Sequence, residues 1–168
     1  MVLWLIGMMG SGKTTVGETV ASALGLSFID TDMLITSVSA RSIPEIWEED
    51  GEGSFRELER QMIASAADSG PTVVATGGGV VLDRENIERM RSSGLVVWLS
   101  ASPGALEERI GRAGGRPLLA EGVPGDRLKA LLEERLPRYM EAAHVEIPTD
   151  GRTIDEIASD VIGQWTAS

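Results

Sequence analysis

The sequence predicts an α/β fold of three layers, a central parallel sheet of five strands flanked by helices. Two observations carry this. Short, continuously apolar runs of strand length recur at Val2 to Ile6, Leu26 to Ile29, Thr72 to Ala75, Leu95 to Leu99 and Val145 to Ile147. Stretches with apolar residues at helical spacing separate them, as in Val16, Val20, Ala23 and Leu24. Strands that are apolar throughout and alternate with helices imply a parallel sheet, because each crossover helix covers one of its faces. A third observation places the chemistry. Ligands of such sheets gather beyond the carboxyl ends of the strands, and the Gly-rich and Asp-bearing segments fall there.

The first run passes into the glycine loop Gly7-Met8-Met9-Gly10-Ser11-Gly12-Lys13-Thr14 and then into a helix that Gly25 ends. The second delivers Asp30 and Asp32 at its C-terminal end. Helical stretches are expected over Thr31 to Ala40, Ile43 to Trp47 and Glu52 to Asp68, the last with Phe55, Leu58, Met62 and Ile63 at helical spacing. Thr72 to Ala75 runs into Gly77-Gly78-Gly79, and a helix over Arg84 to Ser92 is closed by Gly94. Beyond Leu99 come a helix over Ala105 to Ile110, a Gly- and Pro-rich segment from Gly111 to Gly125, and a helix over Asp126 to Ala143. After the last strand, a helix over Ile154 to Trp165 closes the chain.

At 168 residues the chain is expected to fold as one domain, residues 1–168, large enough to bury roughly 70% of the surface its unfolded form exposes. The formal net charge of -11 argues against a nucleic-acid surface or an anionic membrane patch, since both need a basic face. An anionic ligand must then meet a local positive cluster. Of the 15 basic residues only Lys13 and Lys129 are lysine, so a lysine inside the glycine loop is not compositional noise. With no cysteine, disulfides and thiolate metal sites are excluded, which is compatible with a reducing compartment. The apolar start lacks the basic region and cleavage site of a signal peptide, and no apolar run approaches the roughly 18 residues of a membrane helix. A cytoplasmic protein is expected.

The segment from Gly7 to Thr14 has the P-loop spacing, with Gly7, Gly12, Lys13 and Thr14 in place, a strand before and a helix after. Its glycines let successive N–H groups of Gly10, Ser11, Gly12, Lys13, Thr14 and Thr15 turn toward phosphate oxygens at a helix N-terminus. Lys13 reaches the β and γ phosphates, and the Thr14 hydroxyl is a Mg²⁺ ligand candidate. Alone, these residues specify only an ATP or GTP phosphate site. In Asp30-Thr31-Asp32, alternation along an extended segment sends both carboxylates to one side. Asp30 suits the metal, as ligand or as holder of its water, and Asp32 suits an acceptor hydroxyl that must be oriented or relieved of a proton. The competing structural role is a helix cap at Thr31 or Asp32.

Taken together, the chain resembles bacterial shikimate kinases over nearly its whole length. The matching stretches are the P-loop, Phe28 to Asp32, Ser42 to Trp47 through Gly51 to Arg56, Gly77-Gly78-Gly79, Arg116-Pro117-Leu118-Leu119 and Arg135-Leu136-Pro137-Arg138-Tyr139. The resemblance implies a nucleotide-monophosphate-kinase-like fold, with a substrate-binding region over about 31–60 and a mobile lid over about 111–125. It also implies transfer of the ATP γ-phosphoryl group to the 3-hydroxyl of shikimate, with Mg²⁺, in aromatic amino-acid and chorismate biosynthesis. By the same resemblance Asp32, Arg56, Gly78, Gly79 and Arg135 contact shikimate, Arg116 acts on the phosphoryl group from the lid, and Arg109 and Arg152 lie on the adenine side. Lys13, Asp32 and Arg116 are the expected catalytic set.

The chemistry agrees with this assignment. Two arginines grip a carboxylate through paired N–H donors that lysine cannot reproduce. Each residue also has an ordinary structural alternative: Arg56 pairing with Glu52 or Glu59 on its own helix, Arg135 with Glu134 or Glu141, and the triple glycine as a tight turn. Trp47 departs from the phenylalanine common in the family on the pocket wall. Shikimate and ATP are the expected partners, with no nucleic acid or membrane, and a monomer is expected. The alternatives are a gluconate-kinase-like small-molecule kinase and a catalytically silent ATP-binding module.

Overall fold

The computed structural model describes residues 1–113 and 125–168. Its sheet has five strands: β1 (Val2–Ile6), β2 (Ser27–Asp30), β3 (Thr72–Ala75), β4 (Gly94–Ser100) and β5 (Val145–Pro148). They pair in parallel in the order β2-β3-β1-β4-β5. The most apolar strands lie inside and the two with exposed positions lie at the edges, since a central strand is covered on both faces. The helices are α1 (Lys13–Leu24), α2 (Thr31–Ser39), α3 (Ile43–Ala67), α4 (Arg84–Ser93), α5 (Pro103–Ala113), α6 (Gly125–Ala142) and α7 (Ile154–Ala167), with a 3-10 turn at Val80–Leu82.

Period-two alternation splits the core between the faces. Val2, Trp4 and Ile6 pack with Ile63 of α3, Ile87 and Met90 of α4 and Tyr139 of α6. Leu3 and Leu5 pack with Val16 and Val20 of α1 and Ile157 and Val161 of α7. A third cluster, Ile35, Ile46 and Phe55, joins α2 to α3 apart from the sheet.

Register decides where the site forms. Asp30 pairs with Ala75, which also pairs with Leu5, so β2, β3 and β1 end level with one another. The segments that follow these strands therefore emerge side by side at one edge.

Several boundaries differ from the expectation for local reasons. β2 runs one residue further, to Asp30, and Thr31 and Asp32 are already helical. The extended alternation expected for Asp30-Thr31-Asp32 is thus not present. Asp30 itself is the cap, its side chain accepting the Asp32 and Met33 N–H groups, and neither Thr31 nor Asp32 has that role. The two helices expected on either side of Gly51 are joined end to end by a kink there, at φ 82°. α3 starts on a capping box made by Ser42 and Glu45. Among the described residues no helix is long and apolar enough to cross a membrane.

Candidate active site

The glycine loop joins β1 to α1. Gly12 caps α1 at φ 93°, a left-handed conformation that a side chain would disfavour. The N–H groups of Lys13, Thr14 and Thr15 therefore open the helix with their donors pointing outward at its positive end. Lys13 Nζ curls back to donate to the Gly7 and Met8 carbonyls, each at 2.8 Å. The Ser11 hydroxyl is buried in the same loop and has no partner among the described residues.

Asp30 links the loop to the neighbouring strand. Thr14 Oγ1 donates to its Oδ2 at 2.8 Å, while Oδ1 accepts the Asp32 and Met33 amides at 3.0 and 3.2 Å. Thr14 thus keeps lone pairs available for a cation beside the carboxylate. The set is hard oxygen throughout, and no cluster of three or more His, Cys, Asp or Glu that could hold a metal accompanies it among the described residues. That composition suits a magnesium ion carried mainly by phosphate and water.

The expected acceptor side centres on the three glycines that follow β3. The Gly77 N–H donates to Thr31 Oγ1 at 3.2 Å, and a Cβ added at Gly77 would lie 2.7 Å from Asp32 Oδ1. At Gly79 the same atom would lie 2.6 Å from Arg56 Nη1. The Gly78 carbonyl accepts from Arg135 Nη1 at 3.2 Å and from the Tyr139 hydroxyl at 2.6 Å. Side chains from α2, α3 and α6 thus converge on one tripeptide because it has no side chains of its own. Arg135 Nε is buried without a partner among the described residues.

Arg56 does make the ion pairs its own helix offers. Nη2 and Nε donate to Glu52 Oε1 at 3.1 and 3.3 Å, and Nη1 donates to Glu59 Oε2 at 2.9 Å. Its guanidinium also lies over Trp47 and Phe55, 5.9 and 5.3 Å from the ring centroids. Glu59 is buried, and desolvation pushes its carboxyl above the usual range while Arg56 pulls it back. Glu141 pairs with Arg138, leaving Arg135 directed to Gly78.

On the expected nucleotide side, Arg109 donates to Thr149 Oγ1 and to the Thr149 carbonyl at 2.9 and 2.8 Å, and reaches the Gly10 carbonyl at 3.5 Å. Arg152 is held by the Pro148 and Glu156 carbonyls and by Asp160 at 2.7 Å. Arg116 and the segment 114–124, most of the expected lid, lie outside the described residues.

A family model described as shikimate kinase matches residues 9–166. The chain belongs to the shikimate kinase family. The shikimate kinase of Symbiobacterium thermophilum is 43% identical over 164 residues, 96% of this chain and 94% of its own length. A solved shikimate kinase from Acinetobacter baumannii, in complex with shikimate, superposes with a TM-score of 0.93 at 34% identity, covering 99% of this chain and 93% of that one. A gluconokinase from Sinorhizobium meliloti reaches a TM-score of 0.65 at 21% identity, which shows a shared fold and nothing more.

Around this candidate site, three contributors escape residue-by-residue inspection of the sequence: Thr31, Tyr139 and Thr149. Tyr139 had a signal, its spacing of four from Arg135 on one helix face. Thr31 and Thr149 had none, because each acts on a partner distant in sequence; for Glu59, spacing marked the pairing with Arg56, and only its burial was hidden.

Proposed function

We propose that this chain transfers the γ-phosphoryl group of ATP to the 3-hydroxyl of shikimate, giving shikimate 3-phosphate and ADP. The observation that carries this is the convergence of Asp32, Arg56 and Arg135 on Gly77-Gly78-Gly79, at the edge of the sheet that also bears the glycine loop. Membership of the family, with the P-loop and acceptor residues all in place, supports it.

The amides of Gly10 to Thr15 receive the phosphates at the head of α1. Lys13 exchanges the Gly7 and Met8 carbonyls for β and γ oxygens, a strong exchange because a charged donor then meets a charged acceptor. Thr14, by its hydroxyl, and Asp30, directly or through water, would hold Mg²⁺. When bound, the ion neutralises charge on the β and γ oxygens. Arg56 and Arg135 take the acceptor carboxylate, for which the unpartnered Nε of Arg135 is a vacant donor. The Gly78 and Gly79 amides approach the acceptor where no side chain intervenes.

Asp32 orients the attacking hydroxyl and stands where it receives the proton, as the new oxygen–phosphorus bond forms and the bond to the β-phosphate oxygen breaks. Positioning dominates in a transition state this loose. Arg116, by its place in the family motif, brings positive charge to the phosphoryl group in flight, while Arg109 and Arg152 flank the base. The chain acts as one domain, with residues 31–60 as the acceptor-binding region; the separate cluster of Ile35, Ile46 and Phe55 supports that division.

A coupled ADP-release assay with shikimate, gluconate and nucleoside monophosphates tests the proposal. Turnover is expected on shikimate alone. Faster turnover on gluconate, or ATP binding by calorimetry with no turnover on any acceptor, overturns it.

A further inference from the structure

Arg135 and Tyr139 lie four residues apart on α6, and both end on one atom, the Gly78 carbonyl oxygen. Arg135 has a place in the reaction proposed above; Tyr139 has none. Yet Tyr139 makes the shorter bond, 2.6 Å against 3.2 Å, and from a fixed seat. Its side chain is fully buried, and its ring stacks on Trp98 with centroids 5.7 Å apart and planes 9° from parallel. Burial also raises the phenol pKa, so the hydroxyl stays protonated as a donor.

The atom it holds matters because of its neighbours. The peptide group is planar and trans, so the direction of the Gly78 carbonyl sets that of the Gly79 N–H, which points the opposite way. Glycine on both sides leaves this peptide free to rotate at little steric cost. The adjoining carbonyls are already engaged, Gly77 O by the Val80 amide at 3.2 Å and Gly79 O by the Leu82 amide at 3.0 Å. Of the three glycine carbonyls, the Gly78 carbonyl is the one held by side chains, and Tyr139 is the one of the two that a ligand does not call away.

We infer that Tyr139 is a positioning residue for the acceptor: by holding the Gly78 carbonyl, it aims the Gly79 amide and steadies Arg135 at the acceptor site. This rests on the shikimate kinase function proposed above. It acts through the Gly78–Gly79 peptide and touches no reacting atom.

The test is Tyr139→Phe in the full chain, with steady-state kinetics on both substrates. The KM for shikimate is expected to rise about fivefold to tenfold, the scale of one lost hydrogen bond, with the KM for ATP and kcat within about twofold of the wild type. Trp98→Phe, which disturbs the stack but keeps the hydroxyl, supplies the comparison for any loss of stability. Its shikimate KM is expected to stay near the wild-type value whatever its melting temperature. Parallel rises in both KM values of Tyr139→Phe, or an equal rise in shikimate KM for Trp98→Phe, overturn the inference in favour of a packing role. An active wild type whose Phe variant keeps its shikimate KM overturns it alone. A wild type inactive on shikimate overturns the function and this role together.

Discussion

Arg56 shows how one side chain serves two ends. Its donors are divided between Glu52, whose side chain is 56% exposed, and Glu59, at 1%. Removing Glu59 would take the buried partner from an arginine side chain only 17% exposed, whereas Glu52 competes from the solvent side for the donors that the proposed function assigns to a substrate carboxylate. An exposed pair of this kind is worth about 0.2–1 kcal/mol. Glu52→Gln is therefore expected to lower the shikimate KM by up to about fivefold at low ionic strength, measured by initial rates; a raised KM would show that Glu52 prepares Arg56 instead. Trp47 is the second case, since its ring lies under the same guanidinium and is 37% exposed. Shikimate bound at Arg56 is expected to change tryptophan emission, and Trp47→Phe to remove that change, leaving Trp4, Trp98 and Trp165 as unresponsive background. An unaltered signal in the variant refutes the placement.

At the scale of elements, short polar groups do the joining. Asp30 ends β2, caps α2 and receives Thr14 from α1, so one carboxylate sets two helix starts beside each other. Arg91 performs the converse task, donating to the Glu141, Ala142 and Ala143 carbonyls at the C-terminal end of α6. The turn from α6 into β5 is then completed by His144, the only histidine of the chain. Its Nδ1 accepts the Val96 N–H at 3.0 Å while the His144 backbone N–H donates to the Val96 carbonyl at 2.8 Å. Burial and then Arg91 hold its pKa below the ordinary value. The folded chain therefore takes up this proton less readily than the unfolded chain. The stability His144 contributes is fully present above the unfolded pKa of about 6.5 and is lost as pH falls from there toward the folded pKa. Urea unfolding across that window is expected to show this decline in the wild type and a smaller one in His144→Leu. Identical slopes would place the His144 pKa at its ordinary value.

For the whole molecule, the sheet order brings the two halves of the site together, and that order depends on close strand contact. Gly94 opens β4 opposite Val2, where an added Cβ would run into the Val2 carbonyl, in the backbone of the central strand. Gly94→Ala is expected to cost about 3 kcal/mol or more in urea unfolding, since the obstruction is main chain and has no flexible end to yield. Neighbour-to-neighbour physics was legible without the fold. The apolar runs gave all five strands, the glycine and lysine spacing gave the phosphate loop, and the break between the helical stretches ending at Trp47 and starting at Glu52 spans the kink at Gly51. Asp32, Arg56 and Arg135 were legible as ordered motifs. Much of their setting was not: that Glu59 is buried where it pairs with Arg56, that Gly77 donates to Thr31, and that Tyr139 and Arg135 meet at Gly78 depend on burial or on groups up to 61 residues apart. By itself the sequence determined the strands, the helices and the kinds of chemical group available, because these follow from local periodicity and side-chain chemistry. Only the tertiary structure decided which groups meet, because strand register and burial are set by the whole core.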